Sequence, residues 1–341
     1  MRAIVHERGG DSGVLRLIDR EPERPGPGEV RVRIAVSGVN PTDWKRRSAP
    51  GPVSLSVPNQ DGAGIVDAVG PGVERFTVGD RVWTMIAAHE RPLGGTAQEL
   101  TVLPIERVHP LPDGASFDVG ASLGVPAVTA HRALTTVEGW PSRLSPGSLA
   151  GATVLVAGGA GAVGHAAIQL ARWAGATVLA TTSTPEKAAL AAAAGAHATI
   201  DYRAADAVDR VRGFAPDGVD LVVELAAGAN AELDRAVLTP GGAIAIYAND
   251  GNAPFELPVR AYMTLNARLQ FVLLYTVPPA ALAAAAEDVV AAVDALPVGV
   301  EAGLPVHRFP LERTAEAHDA VEGGITGKVL IDVGRPRTLD G

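Results

Sequence analysis

The chain has 341 residues, no cysteine and a formal net charge of −9 at pH 7. The lack of cysteine excludes disulfides, thiolate nucleophiles and cysteine-ligated zinc, and the acidic balance argues against nucleic acid or an anionic membrane as partner. The length predicts two domains of ordinary size. Hydrophobic residues make up 47% of the chain, which is enough for a sizeable core in each.

Neither the first residues nor the most apolar stretch has the pattern of a membrane segment. The segment Met1–Arg8 carries charges where a secretion signal has its apolar run. The Ala-rich stretch 279–296 contains Glu287, Asp288 and Asp294, so it predicts a helix in water rather than a span. We therefore expect a cytoplasmic protein without a membrane partner.

The first third of the chain has the pattern of β structure. Residues 30–36 alternate apolar and charged side chains, which is typical of a half-buried strand. Short strands are predicted at 64–69 and 80–83, with Gly- and Pro-rich turns between them. The pattern predicts a mostly antiparallel β domain.

From residue 153 onward, strands alternate with helices. A continuous apolar run at 153–157 predicts a strand buried on both faces, and apolar residues at helical spacing follow from Val163 to Ala174. A second helix is predicted at 185–194, and further strands at 176–180, 199–201, 219–224, 242–247 and 269–274. Such alternation predicts a parallel, doubly wound sheet.

The last part of the chain returns to an α+β pattern, with strands predicted at 307–311 and 328–333 around a helix at 313–322. We therefore predict an α/β protein with two domains. A Rossmann domain covers residues 125–272, and a β-rich domain covers residues 1–124 and is completed by residues 273–341.

A G-x-G-x-x-G motif follows the first buried strand. Its residues are Gly159, Ala160, Gly161, Ala162, Val163 and Gly164. Alone, the motif is compatible with a tight glycine-rich turn. Here a strand precedes it and a helix opens from it, so we expect the backbone N–H groups to approach the pyrophosphate of a dinucleotide.

The end of the second strand favours NADPH over NADH. NAD sites usually have an acidic residue there, whereas this chain has four hydroxyl residues at 181–184, among them Thr182 and Ser183. Lys187, one turn into the next helix, would supply a positive charge to the 2′-phosphate, and Tyr202 and Arg203 would flank the adenosine. The alternative is that Lys187 is a solvated helix residue.

Several segments, taken in order and spacing, resemble a known family over nearly the whole chain. They are Val57–Gly70, Val78–Trp83, Gly94–Glu99, Val125–Leu134, Phe309–His318 and Gly327–Leu330. The chain resembles the zinc-free, zeta-crystallin-like quinone oxidoreductases of the medium-chain dehydrogenase/reductase superfamily. The resemblance implies a GroES-like catalytic domain and a Rossmann domain with the active site between them, in a homodimer or homotetramer.

Zinc alcohol dehydrogenases share this implied fold but have a different ligand set. Their catalytic metal needs a cysteine early in the chain and a His-Glu pair where this sequence has Gln60 and Asp61. The eight histidines show no ligand spacing. We therefore predict a site without metal.

The resemblance also implies roles for residues in the first domain. The segment 38–45 corresponds to the family's catalytic loop, so Asn40 would line the substrate site and Lys45 would donate a hydrogen bond or a proton to the substrate oxygen. Alternatively, Lys45 pairs with Asp43 or with a cofactor phosphate. Asp61 is interpreted as structural in its turn rather than catalytic.

Further positions are implied for the nicotinamide end of the cofactor. Thr129 would position the carboxamide, and backbone near Tyr247 and Leu273 would border the ring. Lys328 would either approach the cofactor or substrate or serve a structural role.

The predicted function is reduction by NADPH of a quinone or an α,β-unsaturated carbonyl compound (an enone or alkenal) without metal. Two alternatives stay open, an NADPH-binding protein of the zeta-crystallin type with little turnover, and a tailoring or enoyl-thioester reductase. The sequence does not distinguish the small-molecule substrates, and the loop at 140–147, longer than is usual in the family, has no functional interpretation.

Overall fold

The computed structural model describes residues 1–334, which divide into two compact units. One unit comprises residues 1–125 and the described residues from 305 on, and the other comprises residues 126–304. The sequence analysis assigned residues 273–304 to the first domain, which is corrected here. The helix at 279–295 contacts the helix at 162–173 and belongs to the second unit. Residues 335–341, at the end of the predicted first domain, lie outside the described residues.

Strands dominate the first unit. They are β1 (Arg2–Arg8), β2 (Arg16–Asp19), β3 (Glu29–Val39), β4 (Pro52–Ser56), β5 (Asp61–Val69), β6 (Arg81–Thr84), β7 (Leu100–Pro104), β8 (Val108–Pro110), β15 (Val306–Pro310) and β16 (Lys328–Asp332). Helix α1 (Pro41–Ser48) follows β3, α2 (Phe117–Leu134) begins after β8, and α9 (Thr314–Glu322) lies between the last two strands.

The second unit alternates strands and helices. They are β9 (Thr153–Val156), α3 (Ala162–Trp173), β10 (Thr177–Thr182), α4 (Pro185–Ala193), β11 (Ala198–Asp201), α5 (Ala207–Phe214), β12 (Val219–Glu224), α6 (Ala227–Val237), β13 (Leu238–Ile246), α7 (Val259–Leu265), β14 (Arg268–Phe271) and α8 (Pro279–Ala295). Among the described residues, no helix combines the length and apolar character that crossing a bilayer requires.

The strand β3 is central to the first unit. It pairs antiparallel with β5, β7 and β16, within a sheet of order β15-β16-β3-β5-β6-β8. Its alternating sequence places Val30, Val32 and Ile34 in the core, while Arg31 extends outward and its Nε donates to Asp67 of β5 at 2.7 Å. A smaller sheet has the order β2-β1-β4. The predicted mostly antiparallel β domain is therefore confirmed.

The second unit contains a parallel sheet with the order β11-β10-β9-β12-β13-β14. This is the Rossmann strand order, in which the direction of winding reverses between β9 and β12. The apolar run of β9 is buried because helices cover both faces of such a sheet. The predicted doubly wound fold is confirmed, and ligands of such sheets bind at the carboxyl ends of the strands, near this reversal.

The long loop at 140–147 is attached to α8. Asp288 of α8 accepts hydrogen bonds from the Leu144 N–H at 2.7 Å and from Arg143 Nε at 2.8 Å. The same carboxylate lies 2.8 Å from Nε2 of His131, whose pKa is lowered mainly by burial. The loop therefore has a structural anchor inside the second unit.

Candidate functional site

Most of the predicted cofactor residues follow the carboxyl ends of strands in the parallel sheet. The glycine motif follows β9, Ser183 follows β10, Tyr202 follows β11, Tyr247 follows β13 and Leu273 comes shortly after β14. Because parallel strands all end at one edge of the sheet, the fold brings these positions to a common edge. This is the edge at which a doubly wound sheet binds its ligand.

The three glycines of the motif meet different surroundings. A Cβ on Gly164 would lie 2.4 Å from the carbonyl oxygen of Gly158, and one on Gly159 would lie 2.9 Å from Cβ of Ala180. A Cβ on Gly161 would meet only the Gly158 oxygen, at 3.4 Å. Two glycines therefore permit close packing inside the fold, whereas Gly161 leaves open space at the start of α3. That arrangement fits the close approach of a pyrophosphate.

The first turn of α3 supplies the donors for such a group. The helix begins at Ala162. The N–H groups of Ala162, Val163 and Gly164 lie in its first turn, where an α-helix offers them no acceptor of its own. Gly161, the residue before the helix, accepts the first intrahelical hydrogen bond, from the N–H of His165 at 2.8 Å. Orphan N–H groups and the helix dipole together favour an anion at this point.

The residues predicted for the adenosine end lie beside one another. In the pairing of β10 with β11, Thr182 is opposite Asp201, so Ser183 and Tyr202 leave the sheet together. Arg203 extends between them, with Nη1 donating to the Ser183 carbonyl at 3.3 Å and its guanidinium 5.4 Å from the Tyr202 ring centroid. The group therefore combines cationic, hydroxyl and aromatic side chains.

Lys187 lies in the first turn of the neighbouring helix α4. The helix is capped by Thr184, whose hydroxyl accepts from the Lys187 N–H at 3.3 Å. The Lys187 side chain is half-buried. Nearby Glu186 is exposed, and the Thr184 hydroxyl lowers the pKa of Glu186 by hydrogen bonding to it. The residues at the end of β10 thus include a cation that fits a phosphate, and its role there stays a prediction.

The residues predicted for the nicotinamide end differ in exposure. Thr129 is buried on α2, Tyr247 is half-buried at the end of β13, and Leu273 is 57% exposed. Their contacts with a cofactor stay predictions.

Sequence reasoning missed a pair of buried acids next to this edge. Glu224 ends β12, at the reversal of winding, and accepts hydrogen bonds from Asn230 Nδ2 at 3.0 and 3.1 Å. Burial raises the pKa of both Glu224 and Asp234, and the Glu224 charge raises the pKa of Asp234 further. A side-chain hydrogen bond with Glu224 acts in the same direction on the pKa of Asp234. The sequence signal that could have revealed this pair was the carboxylate of Glu224 at the end of an apolar strand.

In the first unit, the predicted catalytic loop is a strand end followed by a helix. β3 ends at Val39, Asn40 precedes α1, and Pro41 occupies the first helical position, where its missing N–H costs little. The Asn40 N–H donates to Oδ2 of Asp43 at 2.8 Å, which caps the helix from within. The segment 38–45 is thus regular structure with a fixed backbone, which corrects the expectation of a loop.

Asn40 is held by two residues from distant parts of the chain. Its Oδ1 accepts from Lys328 Nζ at 2.7 Å, and its Nδ2 donates to Asp61 Oδ2 at 2.7 Å. Asp61 Oδ1 accepts the Val125 N–H at 2.8 Å. The two contacts determine which end of the amide is oxygen, and a primary amide keeps a second N–H for another acceptor. We call Asn40, Asp61 and Lys328 the amide triad.

Antiparallel pairing explains why the amide triad forms. The first residues of both β16 and β5 lie beside the end of β3, since Gly38 is opposite both Leu330 and Asp61. A Cβ on Gly38 would lie 2.0 Å from the Ala121 carbonyl oxygen and 3.1 Å from Cε of Lys328. Gly38 therefore leaves the space through which the lysine side chain reaches Asn40.

The charges of the amide triad are buried. Lys328 is 1% exposed and Asp61 is fully buried, with Nζ 3.5 Å from Asp61 Oδ2. Burial lowers the pKa of Lys328 and raises the pKa of Asp61, while each charge opposes the other's shift. Burial and the Asp61 charge raise the pKa of nearby Asp43 to about 8. This placement favours the second of the two roles predicted for Lys328, a structural one.

The other predicted catalytic residue, Lys45, is exposed on α1. Its Nζ lies 5.7 Å from the ring centroid of Trp44. The ammonium group is therefore open to solvent on the first unit. Its role as proton donor stays a prediction.

A metal centre has no counterpart within residues 1–334, where no group of three or more His, Cys, Asp or Glu side chains is close enough to hold an ion. Zinc independence itself stays a prediction.

Family models match both parts of the chain. The model described as alcohol dehydrogenase GroES-like domain matches residues 26–113, and the model described as zinc-binding dehydrogenase matches residues 162–291. The human quinone oxidoreductase is 30% identical over 97% of each chain. A 2-haloacrylate reductase from Burkholderia sp. is 32% identical over 97% of this chain and 98% of its own.

Solved structures show the same similarity. A structure described as an NAD-dependent alcohol dehydrogenase has a TM-score of 0.83 and 29% identity, covering 98% of this chain and 100% of that one. A mycobacterial protein complexed with NADPH has a TM-score of 0.79 and 30% identity, covering 97% of this chain and 99% of that one.

Proposed function

The chain belongs to the medium-chain dehydrogenase/reductase superfamily, and on that premise we propose that it reduces quinones or α,β-unsaturated carbonyl compounds without metal. It is an oxidoreductase, and NADPH is its cofactor. One observation carries the proposal: the glycine motif, Ser183, Tyr202 and Arg203 share one edge of a Rossmann sheet, and residues 181–184, at the end of β10 and just after it, include no acid.

The second unit has the features that an NADPH site needs. Open space at Gly161 and the free N–H groups of the first turn of α3 suit the pyrophosphate. Lys187 and Arg203 would neutralise the 2′-phosphate, with the Tyr202 ring beside the adenine. When bound, NADPH supplies the hydride, that is, both electrons of the reduction.

The first unit supplies the groups that act on the acceptor. The remaining N–H of Asn40 Nδ2 donates to the carbonyl or quinone oxygen, where negative charge develops. Lys328 and Asp61 keep that N–H in place by occupying the other side of the amide. Lys45 then provides the proton that completes the reduction. Hydride and proton together account for both hydrogens added to the substrate.

Replacing Lys187 by alanine is expected to weaken NADPH binding by roughly tenfold or more, because a charge-assisted contact to the 2′-phosphate is lost. NADH, which has no 2′-phosphate, should bind the wild type more weakly and be unaffected by the change. Fluorescence titration of both cofactors measures this. Arg210→Ala, at an exposed position of α5, removes the same charge away from the site and should change neither affinity. Equal binding of both cofactors by the wild type would contradict the assignment.

Turnover distinguishes the reductase from its alternatives. NADPH oxidation is measured with a panel of quinones, enones, alkenals and enoyl thioesters, and the 2-haloacrylate reductase relative adds unsaturated acids to that panel. Tight NADPH binding without oxidation by any acceptor would favour the alternative of an NADPH-binding protein. If only enoyl thioesters support NADPH oxidation, the alternative of a tailoring or enoyl-thioester reductase is favoured.

We also propose a homodimer built on the edge strand β14. This strand ends the order of the parallel sheet, and large apolar side chains beside it are exposed, with Phe271 at 66%, Met263 at 64% and Leu273 at 57%. An unpaired edge with an apolar surface suits pairing with the same edge of a second copy. The cytoplasmic location stays a prediction.

Replacing Phe271 by lysine should convert the dimer to monomer, because a charge on an edge strand opposes pairing. Light scattering after size-exclusion chromatography measures the mass. Phe214→Lys, at a 57% exposed position on α5, is the matched control and should stay dimeric. A wild-type chain that runs as a monomer at micromolar concentration would refute the proposal.

A further inference from the structure

A cavity of about 250 Å³ lies in the first unit, lined in part by one face of α1. Asp43, Arg46 and Arg47 contribute from α1, and His6 contributes from β1. None of these side chains has a role in the proposed reduction.

The buried guanidinium of Arg47 is incompletely bonded. Arg47 is 1% exposed, and its Nη2 donates to Glu322 Oε2 at 2.7 Å. Among the described residues, Nε and Nη1 have no hydrogen-bond partner. Glu322 is itself 44% exposed, so it neutralises the charge only partly. Buried charges without full hydrogen bonding are costly, and each such group calls for a partner.

The charges of Arg46 and Arg47 act on the histidines around the cavity. The pKa of His6 is lowered by burial and by the charges of Arg46 and Arg47. The pKa of His318 is lowered to about 3 by burial, with further lowering by Arg47 and His6. Asp43 supplies the acid of the lining, and burial and the Asp61 charge raise its pKa. An anion in this cavity would therefore lie near the charges of Arg46 and Arg47, and Glu322 pairs with Arg47 from an exposed position.

The remaining wall is mixed, since Ser54, Ser56, Asn59 and Gln60 contribute polar side chains beside five apolar residues. Val57, Pro58, Ala88 and Pro92 line it. The volume equals that of about eight water molecules at about 30 Å³ each, which is room for a short-chain acid but little more. A cation at one side and apolar groups at the other match a carboxylate with a hydrocarbon part better than an inorganic anion.

We propose that this cavity binds a small organic acid, whose carboxylate accepts hydrogen bonds from the Arg47 guanidinium while its hydrocarbon part contacts the apolar residues of the wall. The acid head would give Arg47 the partner that it lacks. The inference is independent of the proposed reduction, since Arg47 and the other residues of the lining have no role in that reaction.

Calorimetric titration of the full chain without cofactor tests the proposal. Isobutyrate should bind in the millimolar range or tighter, and isobutyramide, which has the same shape without charge, should bind at least about tenfold more weakly. Inorganic phosphate and chloride serve as further probes. Equal affinity for isobutyrate and isobutyramide, phosphate binding as tight as isobutyrate, or no isobutyrate binding would each overturn it.

Variants locate the binding. Arg47→Gln should weaken isobutyrate binding at least about tenfold, whereas Arg24→Gln, an exposed arginine outside the cavity, should leave it unchanged. Ser54→Asp places a negative charge at an exposed part of the lining and should weaken binding several-fold without burying anything new. It keeps the test valid if Arg47→Gln fails to fold. Unchanged affinity in both variants would overturn the proposal.

The source of the acid follows from kinetics. If isobutyrate raises KM for an active acceptor without changing kcat, the acid and the acceptor exclude each other, and the independence from the reduction is wrong. If it changes kcat alone, the acid is a separate ligand.

Discussion

Replacing Lys328 by methionine is expected to reduce the free energy of unfolding by about 3–5 kcal/mol, because breaking a buried ion pair leaves an uncompensated charge. Asp61, fully buried and 3.5 Å from Nζ, would lose its counterion, and Asn40 Oδ1 would lose its donor. Denaturant unfolding followed by circular dichroism measures the change. For a folded variant, kcat should also fall while the Kd for NADPH stays the same, since the predicted cofactor residues at the sheet edge lie in the other unit.

Two comparisons isolate the ion pair. Lys187→Met makes the same substitution at a half-buried position and should change stability by less than about 0.5 kcal/mol. Adding Asp61→Asn to Lys328→Met removes the uncompensated charge and should restore part of the lost stability. A loss below about 1 kcal/mol for Lys328→Met, or an equal fall in NADPH affinity, would contradict the role assigned to the amide triad.

Alanine at Gly161 and at Gly164 is expected to give opposite results. A Cβ at Gly161 meets only the Gly158 oxygen at 3.4 Å, so the fold should tolerate it, but it occupies the space left for the pyrophosphate. NADPH affinity should fall by about tenfold to a hundredfold, equivalent to about 1.4–2.7 kcal/mol. Stability should change by less than about 1 kcal/mol.

At Gly164 the same methyl group would lie 2.4 Å from the Gly158 carbonyl oxygen. That oxygen belongs to a turn held by the Gly159 N–H, which donates to the Thr181 carbonyl at 3.1 Å. The turn cannot move freely, so α3 must shift and stability should fall by about 1–3 kcal/mol. Thermal unfolding and cofactor titration of both variants separate the two effects. A Gly161 variant that binds NADPH normally would show that the pyrophosphate does not approach this backbone.

The sequence by itself determined the cofactor unit, because its signals are local. An apolar run predicts a buried strand, the glycine motif marks the strand-to-helix turn, and Ser183 and Tyr202 follow strand ends directly. Parallel strands end at one edge, so positions named separately in the sequence met in the structure. The approximate bounds of strands and helices followed from the same periodicities.

Tertiary structure alone decided the amide triad. Asn40 and Lys328 are 288 residues apart, and only the pairing of β16 and β5 with β3 places their side chains together. Burial then favours a structural role for Lys328, which its sequence position did not distinguish from a cofactor contact. The assignment of α8 to the second unit and the unsatisfied nitrogens of Arg47 likewise depend on long-range packing. Periodicity reports which face of an element is buried, but it does not report which distant residue packs against that face.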